Sequence, residues 1–386
     1  MNKKISYKIL YIPGWFPTKE NPYSAVFVKK HVRAIALYNK VILVYASSGK
    51  VEKILKINHL NGDDNIETFE IIVNKRIPSF VNKMIKMLGV IFTSIKVIIK
   101  NEVDLINTCS ILSIVGISAF IISKISKLPI ITNEHWSGYI RKNPVVRRVI
   151  IKTLGKFLLR NVNMVCPVSN YMANAINLLG VNREKIFVIP NVVEISFNRL
   201  NKADYKEIKI LLFIGLNFKV KGLHFLLNAL RLLKSRRSDF LLEVIGGIDA
   251  EELQCYKQMT KDMGLENNVL FLGVKTENEI CKYIERCDFG VQPSLYETFG
   301  ISVLEFIGNG KPVITTDIPP INELVPRNYG IFVPPGDIES LSNAINIMLD
   351  TYYKFPTLEM VNYVKNHFSY ESIGTLFTKV YSLIVK

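Results

Sequence analysis

The sequence lacks the short motifs that identify several large enzyme classes. No G-x-G-x-x-G follows its first strand-like run, and no P-loop pattern G-x4-G-K-[S/T] occurs. These absences argue against a dinucleotide dehydrogenase and a P-loop nucleotidase. The chain has only five histidines and no H-E-x-x-H pattern, so a zinc enzyme has no support.

Cysteine and long apolar runs are also scarce. The five cysteines are odd in number and show no metal-binding spacing, which fits a reducing compartment better than a disulfide framework. The longest apolar block, Ile111–Ser123, is shorter than the roughly 20 residues that a spanning helix needs. The first apolar run is interrupted by Pro13 and Gly14, too early for a signal peptide. We therefore expect a cytosolic protein without a membrane span.

Acidic residues are scarce in the first half of the chain. Residues 1–195 hold 28 Lys and Arg against 11 Asp and Glu, a net charge of +17. The remainder carries −1, which gives +16 over all 386 residues. A strongly basic half joined to a neutral half indicates an anionic partner, either a membrane surface or a nucleic acid.

Short apolar runs alternate with helix-length segments along both halves. This alternation predicts βαβ units, and hence an α/β fold with two doubly wound parallel-sheet domains that face a cleft. The first half has strand-like runs at Lys8–Ile12, Val41–Tyr45, Phe69–Val73, Leu105–Asn107, Ile130–Thr132, Met164–Pro167 and Ile186–Ile189. The second half has them at Ile210–Ile214, Leu241–Ile245, Val269–Leu272, Phe289–Gln292, Val313–Thr315 and Ile331–Val333.

The periodicity lapses near Asn191–Tyr205, which predicts the boundary between the two domains. The expected division is residues 1–195 for the first domain and 196–365 for the second. Residues 366–386 are expected to form a terminal helix that packs back on the first domain.

One segment of the second half combines an anion site with two acids. It reads PSLYETFGISVLE, in which Glu297 and Glu305 lie eight positions apart around a helix start at Gly300. Free N–H groups at a helix N-terminus attract an anion such as a diphosphate. Helical side chains lean toward the N-terminus, so Glu305 reaches back to the same mouth. An anion site flanked by two hydroxyl acceptors suits a sugar nucleotide.

This arrangement resembles the GT-B glycosyltransferases of family 4, which are retaining enzymes that use nucleotide sugars. The likeness covers nearly the whole chain, and Glu297 and Glu305 match the family's Glu-x7-Glu element. The resemblance implies that Glu297 contacts the transferred sugar and Glu305 the ribose hydroxyls. It also implies that the backbone of Phe299, Gly300 and Ile301 caps the diphosphate.

The Lys221-Gly222 pair resembles the family's Lys-Gly after the first strand of the second domain. The resemblance implies that Lys221 neutralises the charge that grows on the leaving diphosphate. The family usually has an arginine right after the strand glycine, where this chain has Leu216, and Lys219 is the candidate substitute. Gly273 matches the position where the family's backbone meets the nucleobase.

Candidate residues of the first half follow its strands. His135 comes after a strand-like run and is expected at a carboxyl end, where open α/β sheets bind ligands. The family has a histidine near the sugar at an equivalent strand end, and Glu134 is a weaker candidate beside it. Gly14 matches a loop that approaches donor and acceptor in the family. Asn191 matches a Pro-Asn element near the linker and is interpreted as structural.

The resemblance implies retention by front-face attack, with the acceptor hydroxyl entering on the side that the diphosphate leaves. Such a reaction needs no cofactor or metal, and the sequence has no clear D-x-D pattern. We therefore expect Glu297, Lys221 and His135 to be catalytic. The first domain is expected to bind a glycan or polyprenyl-linked acceptor, and the second the nucleotide-sugar donor.

Two basic segments of the first half have amphipathic spacing. In Val81–Asn101 the lysines on one helical face are Lys83, Lys86, Lys96 and Lys100, and the apolar residues on the other are Met84, Leu88, Ile91, Ile95 and Ile98. In Arg141–Asn161 a basic stripe of Arg148, Lys152, Lys156 and Arg160 runs beside Ile151, Leu154, Phe157 and Leu158. Such helices are typical of membrane interfaces, or of sheet-covering helices with a solvated basic face. Together with the net charge they favour peripheral association with an anionic membrane, at the inner face of the cytoplasmic membrane.

Two other functions remain open. A sugar-nucleotide epimerase or hydrolase of the same fold would use the same donor without an acceptor. A nucleic-acid-binding α/β protein is suggested by charge alone, and recognition-helix, aromatic-platform and repeat signals are missing. The expected function is glycosyl transfer, with an Ile/Lys/Asn-rich composition that suggests bacterial surface polysaccharide synthesis as its setting.

Overall fold

A computed structural model describes residues 6–61, 65–140, 149–196 and 207–385, with the side chains of residues 61 and 149–152 outside the description. The chain divides into two compact units. One unit comprises Met1–Val192 together with Tyr370–Lys386, and the other Val193–Ser369.

The first unit is built on a seven-stranded sheet of order β3-β4-β2-β1-β5-β6-β7. Neighbouring strands are parallel, except that β3 runs antiparallel to β4 at one edge. The strands are β1 (Lys8–Pro13), β2 (Lys40–Gly49), β3 (Leu55–Asn61), β4 (Ile66–Asn74), β5 (Leu105–Cys109), β6 (Ile130–Glu134) and β7 (Met164–Pro167). The helices between them are α1 (Val26–Ala36), α2 (Ser79–Lys100), α3 (Ile114–Ser126), α4 (Val149–Asn161) and α5 (Asn170–Leu178).

The second unit is built on a six-stranded parallel sheet of order β10-β9-β8-β11-β12-β13. Its strands are β8 (Lys209–Gly215), β9 (Phe240–Gly246), β10 (Val269–Gly273), β11 (Phe289–Gln292), β12 (Val313–Thr316) and β13 (Gly330–Val333). Its helices are α6 (Phe218–Lys221), α7 (Leu223–Lys234), α8 (Ala250–Asp262), α9 (Glu277–Arg286), α10 (Ile301–Gly308), α11 (Ile321–Leu324), α12 (Ile338–Thr351) and α13 (Thr357–Phe368).

The last helix, α14 (Tyr370–Ile384), completes the core of the first unit. Its Phe377 and Tyr381 are fully buried in one cluster with residues of β1, β2 and α1. Asn107 Nδ2 donates a hydrogen bond to the Tyr381 hydroxyl at 2.8 Å. Gly374 lets α14 approach α1, because a Cβ there would lie 2.3 Å from the Ala34 carbonyl oxygen.

The expectation of two parallel-sheet α/β domains is confirmed, and all six strands expected in the second half are present. The strand expected at Ile186–Ile189 is wrong, because Ile186 forms only an isolated bridge with Val165. The edge strand β3 was not predicted, because its KINHLN pattern mixes polar and exposed apolar residues. An edge strand buries little on either face, so its apolar signal is weak.

Candidate functional site

Two loops of the second unit meet at the carboxyl ends of β8 and β11. The strands are neighbours in the sheet, with Leu211 opposite Phe289. The strand order reverses between them, since β9 and β10 lie on one side and β12 and β13 on the other. Ligands of open α/β sheets bind outside the carboxyl ends at such a reversal. The loops 216–222 and 293–300 therefore form the candidate site of this unit.

Lys221 and Glu297 are in direct contact across these loops. Lys221 Nζ donates to Glu297 Oε1 at 2.5 Å, and Ser294 Oγ donates to the same oxygen at 2.9 Å. The side chain of Glu297 is 8% exposed and that of Lys221 is 23% exposed. Because water screens this pair poorly, its electrostatic attraction is stronger than that of a surface ion pair.

Hydrogen bonds fix the loops that carry this pair. The Asn217 side chain caps the α6 turn by accepting from the Val220 N–H at 2.9 Å. The Val220 carbonyl accepts from the Leu295 N–H at 2.9 Å, which joins the two loops. Thr316 Oγ1 donates to the Ser294 carbonyl at 2.5 Å. Ser294 was not predicted from the sequence, although it lies three residues before Glu297 in PSLYE.

Helix α10 starts beside this ion pair. Gly300 precedes it with a φ of 94°, a left-handed conformation that favours glycine. The first turn of α10 contains no acidic residue, so no side chain of that turn repels an anion at its N–H groups. The Phe299 side chain is buried against Phe368, with ring centroids 5.8 Å apart. Its backbone lies directly before Gly300, at the start of α10. Glu305 lies half-buried one turn after Ile301.

Three other candidates of the second unit lie at or just after the ends of β8 and β10. Lys219 is exposed, and its N–H donates to Glu252 Oε1 at 3.2 Å. Two helical positions separate it from Lys221, which turns the two side chains to opposite sides. Leu216 is 45% exposed at the end of β8. Gly273 ends β10 with a φ of 71° and open space where a Cβ would point.

In the first unit, His135 follows β6 and is buried against two rings. The centroid of Phe27 lies 4.4 Å from that of His135, and the centroid of His31 lies 5.2 Å away. Burial, with a smaller effect of His31, holds the pKa of His135 well below its usual value, so the ring is neutral. Its Nε2 has no hydrogen-bond partner among the described residues. A neutral imidazole with a vacant nitrogen is suited to exchange a hydrogen bond with a hydroxyl.

His31 of α1 is a buried neighbour that the sequence pattern did not reveal. Its Nε2 lies 3.0 Å from the Pro190 carbonyl, to which it donates. Burial lowers the pKa of His31 to about 4, with the Pro190 bond acting in the opposite direction. Its spacing within α1 matches any core position of an amphipathic helix, so no sequence signal distinguished it.

Glu134 is a fully buried acid at the end of β6. Its Oε1 accepts from the Ile111 N–H at 3.0 Å and from Thr132 Oγ1 at 2.6 Å. Burial raises the pKa of Glu134 to about 7, despite hydrogen bonds from Thr132, Ile111 and Tyr139 that favour the ionised form. These contacts hold the loop after β5 against β6.

Gly14 begins the connection between β1 and α1, at a point where this loop contacts the loop after β5. Its N–H donates to the Cys109 carbonyl at 2.9 Å, and a Cβ on Gly14 would lie 2.2 Å from Ser113 Oγ. Ala25, at the start of α1, has a φ of 53°, which is unusual for a residue other than glycine. Gly14 is therefore required for packing within the first unit.

Asn191, interpreted as structural, is buried, and its Oδ1 has no partner among the described residues.

Helix α2 covers the sheet with a side that mixes polar, small and apolar residues. The buried residues of this side are Asn82, Gly89, Val90, Thr93, Ser94 and Val97. Asn82 donates to the Asn74 carbonyl and accepts from Ser48 Oγ. Lys86 is half-buried, and burial lowers its pKa, with Lys83 as the second cause.

The outward side of α2 includes large apolar residues. It carries Phe80 (74% exposed), Leu88 (58%), Phe92 (57%) and Ile99 (79%), with Met84 also exposed. Lys83, Lys96 and Lys100 are exposed as well, so α2 covers the sheet and presents both basic and apolar side chains outward. The alternative of a sheet-covering helix with a solvated basic face therefore stays open beside the membrane interface. The sequence pattern did not predict which side of α2 faces the sheet. Polar residues are usually exposed, whereas Asn82 and Ser94 are buried here.

Helices α3 and α4 extend this exposed apolar surface. Phe157 of α4 is 56% exposed, and its ring packs on Phe120 of α3 at 6.1 Å. Leu154 is also exposed, whereas Leu158 is buried. Of the expected basic stripe, Lys156 and Arg160 are exposed, while Arg148 and the side chain of Lys152 lie outside the described residues. Helices α2, α3 and α4 contain no Asp or Glu.

The described ranges contain no group of three or more His, Cys, Asp or Glu residues placed to hold a metal ion. Within the same ranges, no helix has both the length and the hydropathy to cross a membrane.

The chain is similar to curated proteins whose names describe sugar-transferring enzymes. The chain is 26% identical over 243 residues to the alpha-monoglucosyldiacylglycerol synthase of Streptococcus pneumoniae, over 58% of this chain and 54% of that protein. It is 29% identical over 206 residues to the O-antigen chain mannosyltransferase RfbU of Salmonella typhimurium, over 52% of this chain and 55% of that protein. The chain thus spans about half the length of the curated relatives it matches.

A solved structure matches the whole chain. Anabaena HepE, described in complex with UDP and glucose, superposes with a TM-score of 0.73 at 19% identity, over 98% of this chain and 100% of that one. At this identity the likeness establishes the fold, which is GT-B. The family model described as Glycosyl transferases group 1 matches residues 195–365, and the model described as Glycosyltransferase Family 4 matches residues 35–197. The chain belongs to the family 4 glycosyltransferases of GT-B fold.

Proposed function

We propose that this protein is a retaining glycosyltransferase that moves a sugar from a nucleoside-diphosphate sugar to a glycan or lipid-linked acceptor. The observation that carries the proposal is the contact of Lys221 with Glu297 beside the N-terminus of α10. A diphosphate needs positive charge and N–H donors, and sugar hydroxyls need acceptors. All three kinds of group converge at this strand end.

On the donor side, Glu297 accepts from a hydroxyl of the transferred sugar and Glu305 from the ribose. The backbone of Phe299, Gly300 and Ile301 caps the diphosphate. Lys221 stabilises the charge that develops on the diphosphate as the sugar leaves.

Four further residues complete the proposed roles. Gly273 has no side chain, so the nucleobase can contact the backbone at this position. Lys219 is a second cation for the phosphates, and its exposed side chain would have to turn toward the donor. His135, with its vacant Nε2, contacts a hydroxyl of sugar or acceptor, while Gly14 shapes the loop beside it.

Retention follows from front-face attack, in which the leaving phosphate oxygen accepts the proton of the acceptor hydroxyl. The side chains then contribute positioning and electrostatic stabilisation, and the reaction needs no cofactor or metal. The relatives include a glycolipid synthase and an O-antigen chain mannosyltransferase, which favours a glycan or glycolipid acceptor. The UDP and glucose bound by HepE favour UDP-sugars as the first donors to test.

The deciding experiment is product analysis with UDP-, GDP- and ADP-sugars, with and without glycan and polyprenyl-linked acceptors. We expect transfer only with an acceptor, retention of the anomeric configuration by NMR, and full activity in EDTA. Lys221→Met and Glu297→Ala should lose transfer while a cooperative unfolding transition shows that both variants remain folded. Wild-type rates in both variants would contradict the proposal. Conversion of the donor alone would instead favour the epimerase or hydrolase, which the comparisons do not favour.

We further propose that the first unit binds the inner face of the cytoplasmic membrane through α2, α3 and α4. Eight Lys and Arg and no acid lie in these helices. The exposed apolar side of α2 would enter the interface, where basic residues at its margins meet anionic headgroups. Lys96, whose Nζ lies 4.1 Å from the Phe92 ring centroid, is one such residue.

Vesicle flotation tests the membrane proposal. Wild-type protein should float with phosphatidylglycerol vesicles, less with phosphatidylcholine and less at high salt. Replacing Leu88 and Phe92 by Ser should weaken binding by about tenfold or more, because each loses its apolar burial. Leu232→Ser with Ile347→Ser, at similarly exposed helical positions of the second unit, is the matched control. Unchanged flotation of the α2 variant, or a salt-dependent gel shift with nucleic acid instead, would contradict this interface.

A further inference from the structure

We propose that the Lys221–Glu297 ion pair is a resting state that the diphosphate of the donor breaks, with Ser294 holding Glu297 in place during the exchange. The inference rests on the proposed donor site and adds how that site changes on binding. The two residues pair with each other in the free protein, and each contacts a different part of the donor in the complex.

The pair is well satisfied before any ligand binds. Lys221 Nζ lies 2.5 Å from Glu297 Oε1, and the two side chains are 23% and 8% exposed. Removing one partner of a poorly solvated ion pair leaves the other charge uncompensated, which is costly. A diphosphate that takes Lys221 therefore has to meet this cost.

An intact donor and its nucleoside-diphosphate product differ in how they meet that cost. The free diphosphate draws Lys221 away and brings further negative charge toward Glu297. The intact donor also brings sugar hydroxyls, which can donate to the carboxylate that Lys221 has left. The exchange therefore favours the intact donor over the product, and it helps the product to leave after transfer.

Ser294 determines which carboxylate oxygen the ligand meets. It is 1% exposed, its Oγ donates to Glu297 Oε1 at 2.9 Å, and Thr316 Oγ1 donates to its carbonyl at 2.5 Å. Lys221 and Ser294 both contact the Glu297 carboxylate through Oε1. Ser294 thus retains Oε1 when Lys221 departs and presents Oε2 to a hydroxyl, which makes it a positioning residue.

Calorimetric titration with UDP and UDP-glucose, or with the base and sugar that the donor screen identifies, tests the exchange. Glu297→Gln should bind the nucleoside diphosphate about fivefold or more tightly than the wild type, since Lys221 no longer has a competing carboxylate. Its affinity for the intact donor should change less, because a hydroxyl contact is lost at the same time. Glu285→Gln, an exposed charge removal on α9, is the control for net charge.

A Lys221→Met background separates exchange from simple repulsion between carboxylate and diphosphate. In that background the gain from Glu297→Gln should largely disappear, because no ammonium remains to be released. A gain that persists in full, or Glu297→Gln binding no tighter than wild type at an unchanged melting temperature, would overturn the exchange. A wild type that binds no nucleoside diphosphate would instead contradict the proposed function itself.

Ser294→Ala tests the positioning role. We expect kcat to fall about tenfold with little change in KM for the donor or in UDP affinity, since one hydrogen bond to a charged group is lost. Ser294→Thr should recover part of kcat. An equal loss of UDP affinity, or an unchanged kcat, would exclude Ser294 from this role.

Discussion

The carbonyl oxygen of Pro293 lies 2.0 Å from the position that a Cβ on Gly222 would occupy. Gly222 has a φ of 76°, so both its conformation and its surroundings require glycine. This close approach seats the Lys221 turn on the loop that carries Glu297. The ion pair therefore depends on a backbone contact as much as on its two charges.

Gly222→Ala should separate Lys221 from Glu297. The added methyl group clashes with the Pro293 carbonyl and strains the backbone, which should cost about 1–3 kcal/mol of stability. A displacement of about 1 Å at the site should lower transfer by about a hundredfold. Gly264→Ala is the matched control, because Gly264 has a φ of 65° with nothing within 4 Å of its Cβ position. Equal activity of the two variants in a steady-state assay would contradict this role of Gly222.

Leu216→Arg should strengthen binding of a nucleoside diphosphate. Leu216 is 45% exposed at the end of β8, on the edge that carries Lys221, so the fold should accept the longer side chain. A new charge-assisted hydrogen bond to phosphate should raise the affinity by about tenfold in calorimetric titration. Leu232→Arg adds the same charge on α7, at 46% exposure, and should leave affinity unchanged. If both variants bind alike, the diphosphate lies away from Leu216.

Glu134→Gln should change the pH dependence of stability. Burial raises the pKa of Glu134 from 4.5 to about 7, so the folded protein keeps a proton that the unfolded chain releases. The free energy of unfolding therefore falls as pH rises from 4.5 to about 7, by up to about 3 kcal/mol in total. Above pH 7 this contribution no longer changes. Glutamine does not titrate and keeps an oxygen for the Ile111 N–H. In urea unfolding from pH 5 to pH 8, the free energy of unfolding of the variant should rise relative to that of the wild type. Parallel pH profiles of the two proteins would contradict a raised pKa at Glu134.

His31→Phe should reduce the loss of stability in acid. Burial lowers the pKa of His31 from 6.5 to about 4, so the unfolded chain binds a proton that the folded protein refuses. The neutral imidazole contributes stability that is present above pH 6.5 and lost toward pH 4, by up to about 3 kcal/mol. Phenylalanine removes this titration and also the bond to the Pro190 carbonyl, which costs about 1 kcal/mol at every pH. The same urea series should give a shallower acid slope for the variant, whereas an unchanged slope would mean that His31 is accessible to protons.

The sequence predicted the second unit more fully than the first for physical reasons. Strands such as β8 and β11 are buried on both faces, so each appears as a short apolar run between helices. The edge strand β3 alternates without a clean apolar face. The outward direction of α2 depends on hydrogen bonds of Asn82 and close packing at Gly89, where a Cβ would lie 3.1 Å from Ile71 Cγ2.

The candidate site was predictable residue by residue but not as a set of contacts. Glu297 and Lys221 were each identified from local patterns, yet they are 76 positions apart, and only the pairing of β8 with β11 brings them together. Ser294 and His31 act through packing and hydrogen bonds that no spacing encodes. What remained hidden was therefore the tertiary contact between two loops.

A crystal structure of the protein with the nucleoside diphosphate of its donor is the most direct measurement. We predict diphosphate oxygens within about 3 Å of Lys221 Nζ and of an N–H group at Gly300 or Ile301, with Lys221 withdrawn from Glu297. A nucleotide bound away from the carboxyl ends of β8 and β11, or a diphosphate that leaves the α10 N-terminus empty, would contradict the central claim that this strand end is the donor site.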